Sequence, residues 1–429
     1  MAKCIFLTID SLRHDASTEA NLSESITIFN DDYVEYSSAY SHGVATPFAF
    51  PGLIAGAYPV GNGNVPKEQS RISELVPGTS VAFTNNGHIS KKRGYSRSFD
   101  EFYTRLPDNG DGRSLVERLK RVKWIRESET VRTLYNYFPD FTSNDKLPIP
   151  YTPGSGVTDF MLNTLREQDP DLLWGHYMDP HTPYHPKFVT ETIPNLPSSA
   201  ELVDLDERIV SASCGAEELS QEELDLSRNL YQENIRYMDQ HLARFLKTLR
   251  EKEWYDEALI IVTSDHGEMF GEKGLLFHQW NYDPHDELIH VPLWVKYPSN
   301  ANGGTTTNYN VSHSDLIQTI ATVFNSTHRV NNQYAEDLRS ENERHIVSLS
   351  NSSKRLIETT GHKILRRDRS TETEGDVSDR GVERLQTVEL PNIATSTGVV
   401  LGGDDDEYVN SRSKGDEELD EQLRALGYR

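Results

Sequence analysis

The amino-acid sequence predicts an α/β fold: a large, mostly parallel mixed sheet with helices on both faces, plus a small C-terminal α+β subdomain. Three observations predict it. Short apolar runs alternate with stretches of helical periodicity, the pattern of parallel strands joined by covering helices. Acidic residues stand where several of those runs end, and open α/β sheets bind ligands at the carboxyl ends of their strands. The texture changes after about residue 340, where short strand-like runs lead into a Thr-, Glu-, Asp- and Gly-rich stretch.

The first strand is Cys4 to Ile9, closed by Asp10. Further strands are expected over residues 81–84, over 172–178 before Asp179, over 259–263 just before Asp265, and over 291–295. Between the third and fourth of these, Leu230, Ile235, Met238, Leu242, Phe245, Leu246 and Leu249 recur at helical spacing and mark a sheet-covering helix. A second helix is expected over 315–324, with Leu316, Ile317, Ile320 and Val323 on its apolar side. Residues 344–349 and 355–366 read as short strands, 402–407 as a loop and 417–426 as a terminal helix. The expected division is residues 1–340 and 341–429.

Composition narrows the function classes. The chain has 429 residues, with 43 Lys and Arg against 67 Asp and Glu, a formal net charge of −24, and only 15 of the basic residues are Lys. Nucleic acid and anionic membranes reward clustered basic residues, so neither is an expected partner. No window approaches the roughly 20 apolar residues that cross a bilayer, and the N-terminus lacks the parts of a signal peptide; a cytoplasmic location without membrane insertion is expected. An Asp/Glu excess with Arg over Lys suits a saline cytoplasm, in which ions screen carboxylate repulsion. Cys4 and Cys214 cannot build a disulfide framework.

Four segments carry chemistry. Asp265-His266-Gly267 follows an apolar strand and offers one oxygen and one nitrogen ligand to a divalent metal. Asp10, in Ile9-Asp10-Ser11-Leu12-Arg13, ends the first strand. Thr46, in Thr46-Pro47-Phe48-Ala49-Phe50-Pro51-Gly52, opens a short helix, where a hydroxyl beside a metal can ionise and act as nucleophile, or simply cap the helix. His176, His181 and His185 lie within ten residues at another strand end, with His181 fixed between Pro180 and Pro183.

Taken in order, these segments resemble the sulfatase family of the alkaline phosphatase superfamily over roughly residues 3–325. The resemblance makes Asp10 the first metal ligand, Thr46 the nucleophile and itself a metal ligand, and Asp265 with His266 the second ligand pair. Gly56 follows Thr46 by ten positions, as the family motif has it, and Ser312-His313-Ser314-Asp315-Leu316 is a supporting match. The ending Glu418 to Tyr428 looks like that of many archaeal members. Sulfatases carry a Cys or Ser in a Cys/Ser-x-Pro-x-Arg motif and oxidise it to formylglycine. Here Thr46 stands there, with Phe50 at the arginine position.

A threonine nucleophile is similar to that of phosphoethanolamine transferases and related phosphodiesterases, which also have a histidine twelve residues after the Asp-His histidine, here His278. The resemblance implies that His181 and His278 are substrate or second-metal ligands, and either imidazole can protonate a leaving oxygen. It implies a metal-dependent hydrolase of phosphate or sulfate esters, with a covalent intermediate on Thr46 and phosphoesters favoured. Alternatives are a sulfuric ester hydrolase without formylglycine, a phosphoryl transferase, or a binding protein that has lost the chemistry. Zn or Mn suits mixed Asp and His ligands, with Mg or Ca possible. Arg13 and Lys91 or Lys92 are candidates to hold the anionic group, and His88 lies near the family's lysine and histidine. The expected partner is a small anionic ester, with a sugar or lipid headgroup possible. Trp124, Tyr135, Tyr137 and Phe138 are candidate pocket walls.

Overall fold

The strand Cys4–Ile9 (β1) is an uninterrupted apolar run because both of its faces are buried. In the computed structural model it lies inside an eight-stranded sheet. The structure describes residues 2–104 and 151–393, except positions 19, 30, 329, 331 and 392 and scattered positions between 186 and 217. The expected loop at 402–407, the helix at 417–426 and Trp124, Tyr135, Tyr137 and Phe138 lie outside the described residues.

The other strands follow in chain order: β2 (Val34–Tyr36), β3 (Ala39–Tyr40), β4 (Ser80–Thr84), β5 (Glu101–Thr104), β6 (Leu172–Tyr177), β7 (Leu259–Ser264), β8 (His290–Val291), β9 (Leu293–Lys296), β10 (Thr305–Thr307) and β11 (Val311–Ser312). The large sheet has the order β10-β2-β9-β7-β1-β6-β4-β5. Pairs from β7 through β5 are parallel, whereas β9 runs antiparallel to both β7 and β2. The expected strand over 291–295 is two strands. Pro292 cannot donate to a ladder, and the chain changes sheets there: β8 joins a small sheet ordered β11-β3-β8, and β9 joins the large one.

Side chains of β1 alternate between the two faces. Ile5, Leu7 and Ile9 meet helices Gly154–Glu167 and Gln221–Arg250, while Cys4 and Phe6 meet helix Thr46–Ala55 and helix His313–Val323. The 30-residue helix Gln221–Arg250 begins with a reciprocal cap, in which Ser220 Oγ accepts from the Glu223 amide and the Glu223 carboxylate accepts from the Ser220 amide. Among the described residues, no helix is long and apolar enough to cross a membrane.

The C-terminal region is an antiparallel sheet of β12 (Ile346–Leu349), β13 (Ser353–Ile357), β14 (Gly361–Arg366) and β15 (Thr371–Gly375), followed by helix Asp379–Thr387. The Thr- and Glu-rich stretch therefore contains a strand, β15. All five of its residues are exposed, so it carries no apolar alternation to betray it. This sheet reaches the body of the protein just ahead of Thr46: the Leu349 amide donates to His42 O at 2.9 Å, the Val44 amide donates to Leu349 O at 3.1 Å, and Ser348 Oγ donates to Ser41 O, 307 residues away in sequence.

Candidate active site

Strand register creates the centre of the site. Ile9 of β1 lies opposite Ser264 of β7, so the next residues, Asp10 and Asp265, emerge side by side at the carboxyl edge. Both are fully buried. Ser11 adopts a left-handed φ of 57°, a conformation costly for a residue with a side chain. In it, the Ser11 amide donates to Asp265 Oδ1 at 3.2 Å and its hydroxyl to Asp10 Oδ1 at 2.9 Å. Gly267 is required for close approach: a Cβ there would stand 2.0 Å from the Glu287 carbonyl oxygen. Next to it, His313 Nε2 donates to Ser264 O at 3.0 Å and pins the end of β7.

Thr46 is the first residue of its helix, not the cap. Ala45 holds the cap position in extended conformation without a side-chain bond, and Pro47 occupies the start, where its missing N–H costs nothing. Gly56 ends the helix at φ 62°, its amide donating to Gly52 O at 2.9 Å. The Thr46 hydroxyl is thus free of capping duty. It donates to Asp265 Oδ2 at 3.1 Å, accepts from Asn86 Nδ2 at 3.3 Å, and lies 3.3 Å from His266 Nε2.

Asp10, Asp265 and His266 each offer one ligand atom, all within 4.8 Å of one another. The donor chemistry fits a divalent cation. His266 Nδ1 lies 2.8 Å from Gly267 O, so it carries the proton and donates, leaving a lone pair on Nε2, the metal-binding tautomer. Burial lowers the His266 pKa to about 3, and the ring is neutral. Its Nε2 nevertheless faces Asp265 Oδ2 at 3.4 Å and Asp10 Oδ1 at 3.9 Å, an array of lone pairs that a cation among them would make favourable. The carboxylates show the same tension. Burial and the adjacent Asp10 push the Asp265 pKa well above its ordinary value. Burial alone would raise Asp10 too, but His181 and the hydrogen bond from His176 outweigh it and hold Asp10 well below the carboxylate range.

The chain belongs to the sulfatase family.

That assignment rests on the Sulfatase family profile, which matches residues 4–326. The choline-sulfatase of Rhizobium meliloti (strain 1021) is 31% identical over 170 residues, 37% of this chain and 32% of that protein. The arylsulfatase of Clostridium perfringens (strain 13 / Type A) is 24% identical over 197 residues, 42% of this chain and 40% of that protein. The matches thus span about a third and two fifths of the length of those relatives. The crystal structure of the phosphonate monoester hydrolase of Agrobacterium radiobacter superposes with a TM-score of 0.63 at 15% identity, covering 100% of this chain and 96% of that one. The lipoteichoic acid synthase LtaP of Listeria monocytogenes superposes with a TM-score of 0.58 at 13% identity, covering 95% and 92%. At these identities the superpositions establish the alkaline phosphatase-like fold.

Against the sulfatase pattern, the remaining expected residues fall into two groups. His181, His278 and His88 lie around the buried centre. His278 is 5.2 Å from the ring of His181 and 4.4 Å from that of His266, and its Nδ1 meets Glu268 Oε1 at 3.0 Å. Burial sends the Glu268 pKa up to about 8 and the His278 pKa down to about 4, so both are uncharged at neutral pH. Arg13 and Lys92 are placed otherwise. The Arg13 guanidinium is bidentate on Asp15, at 2.7 and 2.6 Å, and bonds Glu272 at 2.8 Å, so its charge is already matched. Lys91 and Lys92 are exposed, and the next residue, Arg93, is the buried one.

Three further neighbours of the centre have no role assigned from the sequence, although His176 is one of its three clustered histidines. Asn86 Nδ2 donates to Asp10 Oδ2 at 2.7 Å as well as to Thr46. His176 Nε2 donates to Asp10 Oδ2 at 3.2 Å, with its Nδ1 accepting from Thr8 Oγ1, which in turn accepts from the Trp174 indole. Glu268 is the third. Phe50, in the family's arginine position, is fully buried against His176, Trp174 and Tyr95.

Asp179, the other strand-end carboxylate, does not join this group. It accepts from the Gly154 amide at 2.9 Å at the start of the helix Gly154–Glu167, and burial lifts its pKa to about 7. A carboxyl raised above its unfolded value contributes stability that is full below about pH 4 and is lost as pH rises through about 7. Asp179→Asn keeps the amide-accepting oxygen without the charge. It is expected to match the wild type at pH 4 and to be more stable by about 2–4 kcal/mol at pH 8, measured by urea unfolding at the two pH values; a variant less stable than wild type at pH 8 contradicts this.

Proposed function

We propose that this protein is a metal-dependent ester hydrolase that uses Thr46 as its nucleophile and prefers phosphate esters. The observation that carries the reading is the Thr46 hydroxyl, which has no capping role and is directed at the Asp265 carboxylate within the Asp10, Asp265 and His266 group. A divalent ion on those three residues would lower the pKa of the Thr46 hydroxyl and neutralise negative charge on the ester. Zn or Mn suits the mixed oxygen and nitrogen donors. The residue after Asp10 is a serine that orients Asp10 by a hydrogen bond instead of adding a second carboxylate, which argues for these over calcium.

The residues divide the work as follows. Thr46 Oγ1 attacks the phosphorus in line and forms the new O–P bond, and its proton leaves along the existing bond toward Asp265 Oδ2. The bond to the leaving oxygen breaks with its electron pair, and His181 supplies that oxygen with a proton, while His278, uncharged at neutral pH, contacts the substrate. Water then cleaves the phosphothreonine, returning the Thr46 hydroxyl and inorganic phosphate. Asn86 steadies Thr46 and Asp10 together, and His176 holds Asp10. A small sugar or lipid-headgroup ester is the substrate class we favour. The acidic composition supports work in high salt, with the site as a local exception to the surface charge.

A second reading, sulfate ester hydrolysis by the same threonine, is favoured by the sulfatase names of both curated relatives. Turnover of p-nitrophenyl phosphate, a bis-phosphodiester, a phosphonate monoester and p-nitrophenyl sulfate in multimolar KCl, with Zn and Mn tested separately, decides between them. The expected result is the highest rate on a phosphorus ester, and a quenched sample whose Thr46 peptide gains the mass of one phosphoryl group. A sulfo-threonine peptide would move the assignment to sulfate, and turnover with no adduct on Thr46 under rapid quench would remove the nucleophile.

A further inference from the structure

Arg93 is only 4% exposed, and its one side-chain hydrogen bond among the described residues is to His88 Nδ1, at 2.6 Å. Arg13, by contrast, is held by two carboxylates. Taking a guanidinium out of water without a counter-charge is costly, so a buried arginine in this state points to an anionic ligand.

The bond also settles which proton His88 carries. Arginine only donates, so Nδ1 is the acceptor and the neutral ring bears its hydrogen on Nε2. The ring is neutral because burial, followed by the Arg93 charge, pushes its pKa well below the ordinary imidazole value. Asp10, His181 and His278 are the other ionisable groups that act on it. The His88 ring stands edge-on to Trp280, with centroids 5.6 Å apart. Its amide donates to the side-chain oxygen of Asn86 at 2.8 Å, and Asn86 Nδ2 in turn reaches Asp10 and Thr46. One short segment, residues 86–93, therefore contacts the nucleophile and carries the Arg93 and His88 pair.

We propose that Arg93 is a positioning residue for anion binding: by donating to Nδ1 it holds His88 as an Nε2–H donor and backs that donor with its own charge, so that the pair grips an anionic oxygen of the ester. The proposal rests on the ester-hydrolase reading of the site. It answers the loss of the family arginine, because Phe50 faces an aromatic core and Arg13 is already matched by carboxylates.

The test combines NMR of isotope-labelled histidine with kinetics. The His88 signal is assigned with His88→Gln and followed during titration with inorganic phosphate and, separately, inorganic sulfate. In the wild type, His88 is expected as the neutral Nε2–H tautomer, with its Nε2 signal moving as anion binds. Arg93→Met is expected to lose that tautomer preference, weaken anion binding and raise KM by about tenfold or more, with a smaller change in kcat. Arg93→Gln still donates to Nδ1 from its amide, so it is expected to keep the tautomer and only part of the affinity; it carries the comparison if the Met variant does not fold. An Nδ1–H tautomer in the wild type, or unchanged anion affinity and KM in the variants, overturns the proposal. If the anion titrations follow the expectation while no ester is turned over, the ester-hydrolase reading fails and the role of Arg93 in holding the anion stands.

Discussion

Thr46→Ala is expected to lower ester turnover by about a thousandfold or more while leaving the bound divalent metal in place. The side chain is 3% exposed and the substitution removes only a hydroxyl and a methyl group. Asn86 keeps its bond to Asp10, Ser11 keeps its bonds to Asp10 and Asp265, and His266 keeps its Nε2 directed at the same point. The proposed metal ligands thus survive and the proposed attacking oxygen does not. Asp265→Asn has the opposite profile: it removes a ligand charge, and metal and activity are expected to vanish together. Elemental analysis of each purified variant beside its turnover number separates the two outcomes. Undiminished turnover in Thr46→Ala would mean that water, not Thr46, attacks.

Phe50→Arg, which rewrites the family's arginine into the chain, is expected to cost about 4 kcal/mol or more of stability and to gain no activity. The neighbours of Phe50 are Trp174, Tyr95 and His176, with ring centroids between 5.1 and 6.2 Å away, and its relative exposure is zero. A guanidinium placed there loses its hydration and strikes the ring of His176, which in turn holds Asp10. Since domains of ordinary stability have only about 5–15 kcal/mol in reserve, most of the protein is expected in the insoluble fraction. Circular dichroism melts of whatever remains soluble should show a lowered midpoint; a wild-type midpoint would show that the pocket can admit the charge.

How much of this is legible in the sequence follows from where each piece of information lies. β1, β4, β6 and β7 are legible because an apolar run buried on both faces needs no partner to be noticed. Asp10, Asp265 and His266 stand at the ends of such runs, and Thr46 stands where a proline signals a helix start. Asn86 is not legible, and His176 is legible only as one of three clustered histidines, without its contact to Asp10. Both face Asp10 because β6 lies in parallel register beside β1, where His176 falls opposite Thr8, and β4 lies beside β6, and register is a relation between strands. Arg13 looks like an anion holder in part for the same reason in reverse: of the two carboxylates that match it, Asp15 lies two residues on but Glu272 lies 259 residues further along the chain. The strand β15 escapes notice because a fully solvated strand has no period to read.

The bonds from β12 to the stretch just ahead of Thr46 have a consequence for how the protein comes into being. The stretch just ahead of Thr46 is synthesised 307 residues before the strand residue that bonds to it. During synthesis the parallel strands can assemble before that partner exists, but contacts so distant in sequence close last. On the proposed reading, the Thr46 hydroxyl is therefore set in its final place only after β12 has been made, so a chain still short of β12 is expected to lack ester turnover.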